Sequence, residues 1–130
     1  MTLLGDTENQ LAQAFHQMFD NFPEWAQLTH KSFRVVAVNP AMKALGRKEG
    51  LSCNEGGEPM GHSGCWAQTA LASGKPVWAK QPLSLPDSLG GVVFWIPIEG
   101  HPDYFVHFTI GQRFDYNRPP DFGPCPTVEI

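Results

Sequence analysis

Three side chains able to do chemistry lie close together in this sequence: Cys53, His62 and Cys65. Thiolate and imidazole serve as nucleophiles, redox centres and soft metal ligands, so several chemistries are open to the group. Ser63 can cap a helix over residues 64–73, which puts Cys65 in a first turn where the helix macrodipole favours the thiolate. Cys53 lies twelve positions earlier across a glycine-rich loop, within reach of a reversible disulfide with Cys65. His62-x-x-Cys65 together with Cys53 supplies three zinc ligands, and a closed site needs a fourth from His101, Cys125 or a distant carboxylate. Each cysteine also reads as a small buried hydrophobe, a common state for a free thiol. Cys125, flanked by Pro124 and Pro126, reads as a solvent-exposed bystander. A nucleophilic Cys65 with His62 as base lacks an orienting third group, and the chain has no Walker loop, dinucleotide fingerprint or HExxH pair. The expectation is that the protein is not an enzyme.

The elements that must position these residues follow from periodicity. Leu11, Ala14, Phe15, Met18 and Phe19 recur at helical spacing over residues 7–20, an amphipathic helix. Phe22-Pro23-Glu24 breaks it, and residues 25–30 and 33–38 form a β-hairpin around Lys31-Ser32. Asn39 caps a short helix over 41–45, Pro40 suits its first position, and Gly46 closes it. The loop 47–61 is glycine-rich, and Gly74 ends the helix begun near Ser63. Residues 77–85, 92–98 and 104–114 alternate as strands, the last two joined by the turn 99–103. Prolines at 119, 120, 124 and 126 give an extended or disordered tail. The chain thus divides into a cap or dimer helix (1–20), an α+β domain with about five antiparallel strands (21–114) and the tail (115–130).

At 130 residues this is one domain long enough for a sizeable core. A formal charge of −4 with nine scattered Lys and Arg argues against a nucleic-acid surface, so no nucleic-acid partner is expected. No basic apolar leader and no spanning run occur, and three cysteines is an odd count for a secreted disulfide framework, so the expected place is the cytoplasm, away from membranes.

The strand ending in Asn39-Pro40-Ala41, followed by short helices and then Gly74-Lys75-Pro76-Val77 before a three-stranded meander, resembles the PAS family of bacterial signalling domains over residues 20–114. The resemblance implies short helices over one sheet face and an N-terminal helix that covers the other face or packs against a second subunit. It implies a sensory role, through a small ligand or a signalling partner, with the output on another chain or a removed region, since no heptad follows Phe114. A ligand pocket would draw on Asn39, Trp66, Gln68, Gln81, Trp95 and Thr109. A subset of the family carries loop cysteines that Cys53 and Cys65 match, implying redox response.

Cofactor identity stays open, including none. Iron–sulfur members carry two CxxC pairs, whereas Gly50 and Gln68 occupy the matching positions here; haem would need His62 or His107, the latter read as a partly exposed strand histidine; the flavin-adduct run is not matched by Gly64-Cys65-Trp66-Ala67-Gln68. Two alternatives accompany the sensory reading: a cofactor-free interaction or homodimerisation module, and a metal, iron–sulfur or haem sensor.

Overall fold

The structure is a computed structural model that describes residues 3–46, 49–50, 66–80 and 89–121, with side chains from Asp6 onward. Helix α1 (Leu3–Phe19) precedes strands β1 (Ala26–His30) and β2 (Val35–Val38), helices α2 (Pro40–Lys43) and α3 (Ala67–Ser73), and strands β3 (Val77–Lys80), β4 (Val92–Ile98) and β5 (His101–Ile110). All four strand pairings are antiparallel, and the five-stranded sheet runs β2-β1-β5-β4-β3. The chain therefore crosses from one sheet edge to the other through α2 and α3. This is the expected α+β architecture, with helices on one face and the N-terminal helix on the other.

Local chemistry explains the boundaries. Asn39 caps α2 by accepting the Met42 N–H, and Pro40 occupies the first turn, where its missing donor is harmless. Gly74 ends α3 in the left-handed region (φ 66°), its N–H returning to the Ala70 carbonyl. Helix α3 is shorter than the expected 64–73: it starts at Ala67, with Trp66 at the cap position making no side-chain cap bond. Strand β4 occupies the expected 92–98. Strand β5 begins three residues early because Ile98 pairs with His101 across a tight Glu99-Gly100 turn rather than a five-residue loop.

Two apolar layers flank the sheet. On the inner face, toward α2 and α3, Trp25, Val35, Val38, Met42, Ala67, Ala70, Val93, Trp95 and Phe105 form one buried cluster. On the outer face Phe15 of α1 packs with Ala26, Leu28, Ala37 and Tyr104. Helix α1 therefore covers part of its own sheet, and a charged clamp fixes it: the two terminal guanidinium nitrogens of Arg34, Nη1 and Nη2, donate to the Glu8 carboxylate at 3.0 and 2.6 Å, and the Tyr104 hydroxyl donates to it at 2.9 Å. The Arg34 bond holds the Glu8 carboxyl below its usual range, while burial pushes the Tyr104 phenol up to about 12.

Candidate functional site

The two central strands β1 and β5 each have a more polar and a more apolar side, since alternate residues face opposite ways. Ala26, Leu28, Tyr104, Val106 and Phe108 take the outer side under α1. Gln27, Thr29, His107 and Thr109 take the inner side with Trp25 and Phe105, beneath α2 and α3. All four polar residues are buried there. The polar side of these strands is thus packed against helices rather than turned to water.

Sheet register lines these groups up. Gln27 is opposite His107, and His107 is opposite Trp95 of β4, so the three side chains form one row across three strands. The His107 ring stacks on Trp95 (centroids 4.8 Å apart, 17° between planes) and meets Trp25 edge-on at 4.9 Å. Its Nδ1 lies 2.9 Å from the Phe94 carbonyl oxygen. The Thr109 hydroxyl donates to the Val92 carbonyl at 3.1 Å. Among the described residues, four buried polar side-chain atoms have no hydrogen-bond partner: Gln27 Oε1, Thr29 Oγ1, Trp95 Nε1 and Gln112 Nε2. Three of them belong to the inner sheet face. Buried polar atoms in folded proteins are nearly always paired, and leaving one unpaired costs about 1–3 kcal/mol.

One end of this row is tied to the segment that follows β5. The Trp25 indole N–H donates to Gln112 Oε1, and the buried Glu24 carboxylate accepts the backbone N–H groups of Gly111, Gln112 (2.8 Å) and Arg113 (2.7 Å). A cleft of about 280 Å³ opens beside this junction, between α2 and Phe114, with Trp25 in its wall.

The residues expected to line a pocket separate into three groups. Trp95 and Thr109 lie buried on the inner face. Asn39 is buried with its carboxamide engaged by the backbone: its oxygen accepts from the Ala26 and Met42 N–H groups, and its Nδ2 donates to the carbonyls of Phe19, Phe22 and Glu24. Gln68 is exposed and Trp66 is half-exposed, because α3 turns Ala67 and Ala70 inward instead. Gln81, Cys53, His62, Cys65 and Cys125 lie outside the described residues. His107 is buried rather than partly exposed, held between two indoles. Among the described residues no three His, Cys, Asp or Glu side chains converge as a metal site, and no helix is long and apolar enough to cross a membrane.

Gln27, Thr29, Gln112 and Glu24 were not expected at the site. The parity of β1 contains the signal: Trp25, Gln27 and Thr29 alternate with Ala26 and Leu28, so the polar residues share a face with a tryptophan.

No protein-family model matches the chain, and no curated protein sequence matches it. Among solved structures, a sensory box sensor histidine kinase from Vibrio cholerae superposes with a TM-score of 0.55 at 15% identity, covering 86% of this chain and 98% of that one. The chain has a PAS fold. A variant of RsLOV superposes with a TM-score of 0.51 at 19% identity, over 85% of this chain and 68% of that one. A PAS domain of an HTR-like protein from Haloarcula marismortui aligns with a TM-score of 0.48 at 18% identity, over 82% and 95% of the two chains. In this PAS fold the inner face is the one that carries the row Gln27–His107–Trp95.

Proposed function

We propose that this PAS-fold domain is a sensory signalling module that binds a small molecule on the inner face of β1, β5 and β4 and regulates an output carried elsewhere. The observation that carries this reading is the inverted polarity of the two central strands, which buries Gln27, Thr29, His107 and Thr109 beneath the helices and leaves polar atoms unpaired there. A ligand that pairs them recovers the hydrogen bonds the fold forgoes. The likeness to a sensor histidine kinase fold agrees with a signalling role. The route outward is the contact of His107 with Trp25, whose indole N–H holds Gln112 beside the turn that Glu24 clasps. Ligand occupancy is expected to change tryptophan fluorescence and the amide exchange of residues 111–113 together. Ligand binding with neither change would refute this route.

A second reading, a cofactor-free dimerisation or partner-binding module, is favoured by the outer face that α1 leaves open. There Trp78 (63% exposed) stacks over Phe94, which stacks on Phe108 at 4.9 Å, beside the exposed Ile110. This reading predicts concentration-dependent dimers that Trp78→Ser dissolves. The redox arm of the sensory reading rests on Cys53 and Cys65 in the sequence; Cys65→Ser is expected to abolish any oxidant-induced change of assembly, and an unchanged response removes it.

A further inference from the structure

We infer that the cleft between α2 and the segment leaving β5 is a second small-molecule site, one that takes a monocarboxylate with a compact apolar body such as a single aromatic ring. It lies away from the inner sheet face and stands or falls independently of the reading above. The cleft encloses about 280 Å³. An apolar cavity of roughly 150 Å³ holds one benzene ring, whereas drug-sized molecules occupy about 300–1,000 Å³. The space therefore suits one ring with a short substituent.

The walls set the chemistry. Trp25, Leu45 and the half-exposed Phe114 give the cleft an apolar lining, and Arg113 stands among them. Among the described residues the Arg113 guanidinium has no carboxylate partner, whereas Arg34 meets Glu8 at 2.6 Å and Arg118 meets Asp115 at 3.9 Å. A planar guanidinium pairs best with a carboxylate, which accepts two of its N–H groups at once. A second observation points to the same kind of ligand. The fully buried Gln112 uses its Oε1 to accept the Trp25 indole N–H, and its Nε2 has no partner. That donor lies one hydrogen bond behind the Trp25 wall, and it too calls for an acceptor. Glu24 also lines the cleft, but its carboxylate is committed to the backbone N–H groups of Gly111, Gln112 and Arg113. A cationic ligand would meet the Arg113 charge, and a neutral one would leave it unpaired. Because Arg113 and Phe114 follow β5 while Ala44 and Leu45 follow α2, one bound molecule fastens the β5 exit to the end of α2.

The test is titration of the full chain, followed by calorimetry and by NMR, with three one-ring probes: phenylacetate, its neutral amide phenylacetamide, and the cation benzylamine. Phenylacetate is expected to bind roughly tenfold more tightly than either of the others, to shift the Trp25 indole N–H resonance and to slow amide exchange at residues 113 and 114. Arg113→Gln should bring phenylacetate down to the level of phenylacetamide. Ala44→Phe, at an exposed position in the cleft wall, should fill the space and abolish phenylacetate binding, while Gln27→Leu on the inner face should leave it unchanged. Tighter binding of benzylamine or phenylacetamide would overturn the carboxylate assignment. Phenylacetate binding that ignores both Arg113→Gln and Ala44→Phe, or that is lost in Gln27→Leu, would overturn the site, as would a failure of all three probes to bind.

Discussion

At Asn39 the carboxamide oxygen accepts from two backbone N–H groups, one in β1 and one in α2, while the nitrogen donates to three carbonyls between α1 and β1. A helix cap alone would need only the oxygen, and Asp caps a helix as well as Asn does. The donors make the difference. Asn39→Asp is therefore expected to lower unfolding stability by about 2 kcal/mol or more, since it sets a carboxylate against those carbonyls; a silent substitution in denaturant titration would reduce Asn39 to a simple cap. A glycine gives a second residue-level check. A Cβ at Gly91 would lie 2.6 Å from the Ile110 carbonyl oxygen, and its φ of +86° disfavours any L side chain, so Gly91→Ala should cost at least about 2 kcal/mol by the same assay. Gly46, whose added Cβ meets nothing within 4 Å, is the control for φ strain without a clash.

At the scale of elements, α1 is held to the sheet by apolar contact and by the Glu8–Arg34–Tyr104 clamp. The Glu8 carboxyl is held below its ordinary value of 4.5, chiefly by the Arg34 hydrogen bond, so its contribution is present above the unfolded-state value and is lost as pH falls through the lower folded value. The Tyr104 phenol is raised from 10.0 to about 12, chiefly by burial, so its contribution is complete below pH 10 and disappears as pH rises toward 12. Melting temperature against pH should fall at both ends, and Tyr104→Phe should flatten the alkaline limb. A limb unaltered by that change would contradict the assignment. Glu24 organises the other junction. Glu24→Ala removes the acceptor of three backbone N–H groups and should lower stability by about 2–4 kcal/mol while exposing residues 111–113 to amide exchange. Retained protection there would show that the β5 exit is held by something else.

Element positions were largely legible in the sequence because their signals are local. The Asn39-Pro40 start of α2, the Gly74 stop of α3 and the alternation over 92–98 all stand where they were read. What was hidden was which side of β1 and β5 faces which layer. Alternation identifies two sides, and the polar one is ordinarily assigned to solvent. Here α1 covers the apolar side and α2 and α3 cover the polar one, a choice made by long-range packing. The same reason explains Gln68 and Trp66: once Ala67 and Ala70 face the sheet, their neighbours point away.

For the whole molecule, the sheet has one face filled by helices and another only partly covered by α1. The ligand reading assigns function to the first, and the dimer reading assigns it to the second. Trp78→Ser separates them, because it removes the most exposed sheet aromatic without touching the inner row. Under the ligand reading it leaves small-molecule binding intact whatever it does to assembly.

Native mass spectrometry of the gently purified, untagged full chain, run beside its Gln27→Leu variant, tests the central claim most directly. The account predicts a non-covalent adduct of small-molecule mass on the parent that is lost or sharply reduced in the variant. Bare protein mass in both, or an adduct equally abundant in both, would contradict the assignment of the inner sheet face as the sensing site.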